Sequence, residues 1–283
     1  GEPRHVHTLA ADLAANEPNA SVQTAALTRG PLQAQFSASV GLDQWKPKPS
    51  EPLKANVTVR NADVQDMLAL AGQSQLPIRG DVALSAQASG TIGDPQGRAD
   101  LAIVNGSAYS QPFDRIQGQI AYGGQFVSIP NMQATAGSAV AHLTAAFEHP
   151  PDTFSTGRFH IHLDTNQVAL DRLPALQTRR PDLEGLAQTN LDADATLQSN
   201  AGSAVFQMTA LNGNINIRGL RDHGRMLGDF AADARTSGNQ IAYRVQSNFA
   251  GSSISADGTT TLTADYPTQA SVSIQNLPIE QAL

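Results

Sequence analysis

Apolar and polar residues alternate with period two along most of this chain. In "LEGLAQTNLDADATL" the residues Ala187, Thr189, Leu191, Ala193, Ala195 and Leu197 fall on one face and Gln188, Asn190, Asp192, Asp194 and Thr196 on the other, the pattern of a strand wetted on one side. "GRFHIHLD" sets Phe159, Ile161 and Leu163 against Arg158, His160 and His162, and "IAYRVQSNF" puts Ile241, Tyr243, Val245 and Phe249 on a common face. Asn105-Gly106, Gly123-Gly124, Asn212-Gly213 and Gly238-Asn239 are hairpin signals, because their residues accept positive φ. The pattern predicts a mainly β protein of about twenty short strands, neighbours mostly antiparallel.

The pattern also repeats. "ANVTVRNADVQDMLAL" from Ala55, "FHIHLDTNQVALDRLPAL" from Phe159 and "ASVSIQNLPIEQAL" from Ala270 each run a strand into an Asn and a short helical phrase. Asn61, Asn166 and Asn276 are spaced by 105 and 110 residues, and the strands before them, "LQAQFSASVGL", "AVAHLTAAFEH" and "SISADGTTTLTAD", hold matching places. Asn61 or Asp63 is placed to cap a helical turn over "VQDMLALAG" that Gly72 ends, and Pro174 limits the second helical phrase to little more than one turn. The spacing divides the chain into 1–72, 73–177 and 178–283, three repeats of one continuous sheet, and reads as a window onto a longer array.

Composition bears on what such a sheet is for. The 283 residues are 40% hydrophobic but only 5% aromatic, with 23 Gly and no Cys, so the apolar positions are short of the bulky side chains that fill a closed core. "GTIGDPQGRADLAIVNGSAY", Gly90 to Tyr109, shows this best, as do Ala83–Ala88 and Ala139–Ala145. The net charge of -7 carries no basic runs interleaved with aromatics, which argues against a nucleic-acid partner. No stretch of about 18 apolar residues occurs and "GEPRHVHTLA" lacks the pattern of a signal peptide; if exported, the chain is expected to travel as part of something longer.

Gly80, Gly90, Gly93, Pro95, Gly97, Gly106, Phe113, Gly118, Tyr122, Gly137 and Phe147 form a cadence that resembles the repeating β module of the TamB and AsmA-like envelope proteins. The resemblance runs through the three copies and rests on glycines and alternation, with no catalytic signature. It implies an elongated β-taco, a curled U-shaped trough with short interspersed helices, apolar inside and polar outside, in proteins that bridge the two membranes of diderm bacteria. It implies a place in the periplasm, within a longer protein anchored in the inner membrane. The lining expected of such a groove is Leu84 on one strand, Leu101 and Ile103 on the next, then Ile116, Ile120 and Tyr122. Further along come Phe159, Ile161 and Leu163, then Leu191, Ile215 and Ile217, then Tyr243 and Val245, and last Val272 and Ile274.

Chemistry finds little purchase. His160 and His162 lie on the polar row, where Asp164 is the one carboxylate nearby in sequence, and a wet sheet face explains them better than a metal site. Asp192 and Asp194 sit among Gln188, Asn190 and Thr196, without the desolvation a general acid needs. G-x-S-x-G, GxxxxGK[ST] and HExxH are all absent, Arg79-Gly80-Asp81 leads into a strand, and N-x-[ST] at Asn19, Asn56 and Asn105 is a frequent chance triplet. A carbohydrate-active or adhesive solenoid would want stacked aromatics, and Trp45 is the sole Trp. The expectation is a non-enzymatic segment, without cofactor or metal, that shelters phospholipid or another acyl lipid for transport between membranes. A second reading gives the same fold a role in outer-membrane protein assembly through an exposed sheet edge. The plainest alternative packs the Ala-rich strands against a facing sheet, as a sandwich.

Overall fold

The computed structural model describes residues 7–70, 72–200, 203–263 and 265–276. Its seventeen strands belong to one antiparallel sheet, and two compact units divide the chain between Ala134 and Thr135.

The first unit holds β1 (His7–Asn16), β2 (Asn19–Arg29), β3 (Leu32–Gly41), β4 (Leu53–Asp63), the helix α1 (Val64–Leu70), β5 (Ile78–Gly90), β6 (Pro95–Ala108) and β7 (Gln111–Gly123). β8 (Phe126–Ala136) crosses the division. From β1 to β7 each strand pairs antiparallel with its successor in the chain. α1 starts where expected: the Gln65 N–H donates to Asp63 Oδ1 at 2.7 Å, so Asp63 is the cap. The helix is followed by Gly72 at φ +70, whose N–H donates to the Ala69 carbonyl.

The second unit holds β9 (Ala139–Glu148), β10 (Gly157–Thr165), the two-residue β11 (Val168–Ala169), a 3₁₀ turn at Leu170–Arg172, α2 (Pro174–Gln177), β12 (Leu183–Asn200), β13 (Ser203–Asp222), β14 (Arg225–Ser237), β15 (Gln240–Ser247), β16 (Ser253–Thr261) and β17 (Thr268–Gln275). Here β9 pairs with β10, β10 with β12, and the strands then pair in order to β17. Pro174 takes the first position of α2, so the helical phrase splits into a 3₁₀ turn and a single α turn. The third helical phrase, from Asn276 on, lies outside the described residues beyond Asn276.

Four expectations are corrected. Asn105-Gly106 and Asn212-Gly213 lie inside β6 and β13 and make no hairpins. Asn105, at φ +52, stands opposite the register shift between Arg79 and Asp81, where the extra residue of a bulge needs an unusual backbone. Gly213, at φ +142, sits where a Cβ would overlap the Asn190 carbonyl. With those turns gone the strands are fewer and longer than expected, and β12 and β13 reach 18 and 20 residues. Phe249 is not in β15 but in a 3₁₀ turn, Phe249–Gly251, where Ala250 takes φ +51. Gly123-Gly124 and Gly238-Asn239 do lie at hairpins, between β7 and β8 and between β14 and β15.

Closed packing is confined to small clusters. Ala62, Val82 and Ile103 form one cross-strand row over β4, β5 and β6, buried together with Val64 of α1. Gln65 fastens this helix by donating Nε2–H bonds to the carbonyls of Leu76, at 3.2 Å, and Ile78. In the second unit Leu170 is buried against Gly185, and Gln177 plays the part of Gln65, donating to the carbonyls of Leu170 at 3.1 Å and Leu183 at 2.8 Å.

Candidate functional site

Residues paired across an antiparallel ladder point to the same face, so the registers trace which side chains share a surface. In the second unit a single row crosses eight strands: Leu143, Leu163, Leu191, Gly213, Ala234, Tyr243, Gly258 and Ala270. The next row on that face carries Thr189, Ile215, Ala232, Val245, Ala256 and Val272, and the one after it Ala187, Ile217, Phe230, Ser247, Ile254 and Ile274. On the other side of the first row, Ala145, Ile161, Ala193 and Leu211 line up, then Phe147, Phe159, Ala195 and Met208. In the first unit, Leu84 and Leu101 stand opposite each other, Leu101 faces Gly118, Ala99 faces Ile120 and Gly97 faces Tyr122.

All sixteen residues expected from the sequence therefore lie on apolar faces of their own unit. Ile103 differs in burial. At 9% exposure it is buried in the row with Ala62 and Val82, whereas Ile161, between Ala145 and Ala193, is 38% exposed. Val272 and Ile274 are exposed as well.

Glycines set the height of this face. On the second unit's apolar face Tyr243 lies over Gly258, where a Cβ would strike the phenol ring, and Phe147 meets Gly157 in the same way; in the first unit Phe113 lies over Gly106, on the face of β7 opposite to Ile116. Tyr122 stands opposite Gly97 without its ring lying over it. A large ring beside an alanine would stand up from the sheet; over a glycine it lies down and covers bare backbone. Gly106, alone in the glycine cadence, thus has an aromatic packing cause that alternation does not reveal. Phe147 and Phe159 stack at 4.2 Å, and Phe206 joins Phe159 at 5.5 Å, forming an aromatic margin to the face.

The opposite face is polar and carries cross-strand His–Asp and Arg–Asp contacts. His160 Nδ1 lies 2.8 Å from Asp194 Oδ1, and His162 Nδ1 2.8 Å from Asp192 Oδ1. The two histidines and the two aspartates, separated by about thirty residues, are cross-strand partners of β10 and β12, which sequence spacing could not indicate. His142 and Asp164 extend the ladder at 3.4 Å. No group of three or more potential ligands is arranged to hold a metal among the described residues. Further along, Arg244 Nε donates to Asp257 Oδ1 at 2.7 Å, a bond that raises the guanidinium's pKa above its ordinary value. The row Ile217, Phe230 and Ile254 borders an open depression of about 450 Å³ shared with polar neighbours. No helix among the described residues is long and apolar enough to cross a membrane.

The second unit offers a broad apolar surface of low relief, backed by a polar one, with no nucleophile, acid–base pair or ligand set converging on it among the described residues. No protein-family model, no curated protein and no solved structure matches this chain.

Proposed function

We propose that the chain is a non-catalytic lipid-binding segment, in which acyl chains lie along the apolar face while head groups stay in water. On this reading the sheet is a stretch of a trough of the TamB and AsmA-like kind, built from repeats ending near residues 72 and 177, working in the periplasm of a diderm bacterium. Its role is passive carriage of phospholipid between membranes.

The observation that carries the proposal is the uncovered apolar surface of the second unit. Rows of Ala, Ile, Leu and Val across as many as eight strands remain half-exposed or exposed around Ile161, Val245 and Val272. At a strand spacing near 4.8 Å the longest row extends for about 34 Å along the sheet, whereas one acyl chain spans roughly half of a 30 Å hydrocarbon core. Each CH₂ sheltered from water contributes up to about 0.8 kcal/mol, so non-specific contact suffices. A sandwich would bury these same side chains under a second sheet. The assembly reading keeps one supporting observation, since all eight residues of β17 are exposed.

Native mass spectrometry of the purified protein tests the proposal. Copurified phospholipid is expected, and Ile161→Asp and Ile217→Asp should remove it with the β spectrum retained. Asn216→Asp, on the polar face, should leave it in place. A lipid-free protein that also takes up none from detergent-solubilised phospholipid would sink the reading.

A further inference from the structure

β13 outruns the strand that follows it. β12 pairs with it along its whole length, from Ser203 to Asp222, whereas β14 pairs with it only from Gly213 to Asp222. Residues 203–212 therefore have a strand on one side only among the described residues. Two backbone N–H groups on the open side are met by side chains: Met208 donates to the Tyr266 hydroxyl at 2.9 Å and Leu211 to Thr236 Oγ1 at 2.8 Å. Outward groups on a strand recur every second residue, so the N–H and C=O of Phe206 and Ala204 point the same way as those of Met208. No partner meets Phe206 on that side among the described residues.

The side chains of this stretch are as open as its backbone. Phe206 is 63% exposed on the apolar face, at the end of the stack with Phe147 and Phe159. Val205, opposite Gln198 on the polar face, is 46% exposed. Residues 203–212 hold no charged residue and no proline. A free edge is ordinarily protected by lysine, proline, a bulge or a charge. Here the bulge falls at Thr209, between Met208 and Ala210, past the open residues, and Tyr266 reaches Met208.

We propose that a second copy of this chain adds its own β13 to this edge, antiparallel, about a two-fold axis at Val205. Tyr266 sets the register. With Met208 taken, the outward groups left are those of Ala204 and Phe206, and both are met when Ala204 stands opposite Phe206 of the other copy and Val205 opposite its own mate. Each Ala204–Phe206 pair exchanges both N–H···O bonds, and the two Val205 residues form a non-hydrogen-bonded pair with Cα atoms about 4.5 Å apart. Charge and shape favour a second copy over a foreign strand. Self-pairing sets like residues near one another, which a chain of net charge -7 tolerates only where the paired stretch is uncharged, as it is here. The exposed Val205 gains its β-branched mate as cover, and the rings of Phe206 and its mate lie diagonally on the apolar side. A two-fold axis perpendicular to the sheet keeps the apolar faces of both copies on one side. The inference stands on backbone register and does not depend on lipid.

Sedimentation velocity over a range of concentrations should show a reversible monomer–dimer equilibrium. The chain has no cysteine, so Val205→Cys introduces a single thiol facing its mate, and mild oxidation should link it into a covalent dimer that reductant releases. Gln207→Cys, on the same face, should stay monomeric under the same oxidant, because its mates would lie about 13 Å apart along the strands. Phe206→Pro removes the outward N–H and leaves the β12 ladder intact. It should raise the dimer dissociation constant on the order of a hundredfold, about tenfold for each of the two bonds lost. Val205→Lys sets like charges opposite each other at an exposed position and should weaken the dimer without unfolding the chain. A chain monomeric at every concentration, Gln207→Cys linking as readily as Val205→Cys, or a dimer undiminished by Phe206→Pro and Val205→Lys would each overturn the assignment. So would a monomer whose Val205→Cys thiol is shielded instead by an added peptide of alternating Thr and Val, since the occupant would then be a foreign strand.

Discussion

Ile103 and Ile161 are the same residue on apolar faces of interior strands, yet one is in a closed core and the other is open to solvent. The difference lies in what surrounds them. Ile103 has Val82 and Ile116 for cross-strand neighbours and is buried. Ile161 has Ala145 and Ala193. At Ile103 the facing places hold bulky residues and the row closes; at Ile161 alanines take them and the sheet stays a surface.

The largest effect that can break this contrast is a charge placed in each region. Ile103→Asp leaves an unpaired carboxylate in the closed cluster and should cost about 3 to 5 kcal/mol, enough to unfold the first unit in a thermal melt. Ile161→Asp keeps access to water and should cost under about 1 kcal/mol. Equal losses for the two would mean that Ile161 is in a closed core after all.

Gly213 probes the open side without adding charge. Its φ of +142 and the nearness of the Asn190 carbonyl and Leu191 Cα leave no place for a methyl group, so Gly213→Ala should lower stability by about 2 to 3 kcal/mol in denaturant titration. A neutral result would show that β12 and β13 can part there at no cost. A smaller loss than at Gly213 is expected for the covers. Gln65→Ala and Gln177→Ala each delete two bonds to backbone carbonyls and should cost about 1 to 2 kcal/mol. Faster amide exchange is expected around Val82 after the first and around Leu170 after the second, with β15 and β16 unaffected.

The sequence made the alternation of β12 legible residue by residue, because period two survives even where bulges shift the register. The helix cap at Asp63 and the breaking effect of Pro174 were equally plain, since both act within a few residues. What it concealed was set by pairing between distant segments. His160 and His162 looked like an isolated pair, and so did Asp192 and Asp194, until the β10–β12 register made each the other's partner. Asn212-Gly213 carries a turn's chemistry, but the strand opposite requires it for close approach. The flat seating of Tyr243 and Phe113 depends on glycines contributed by other strands, and no local pattern announces it.

Pairing in chain order has a consequence for how the molecule acquires its structure. Because the strands of each unit hydrogen-bond mostly to their immediate successors, few contacts demand closure of a long loop. Such a chain has a low contact order for an all-β protein and should fold faster than a Greek-key sandwich of its size. Zipping can begin at any hairpin and spread in both directions. A polypeptide emerging gradually into a new compartment could add strands as they arrive, and the growing edge would be the part most exposed to mispairing until the next strand came.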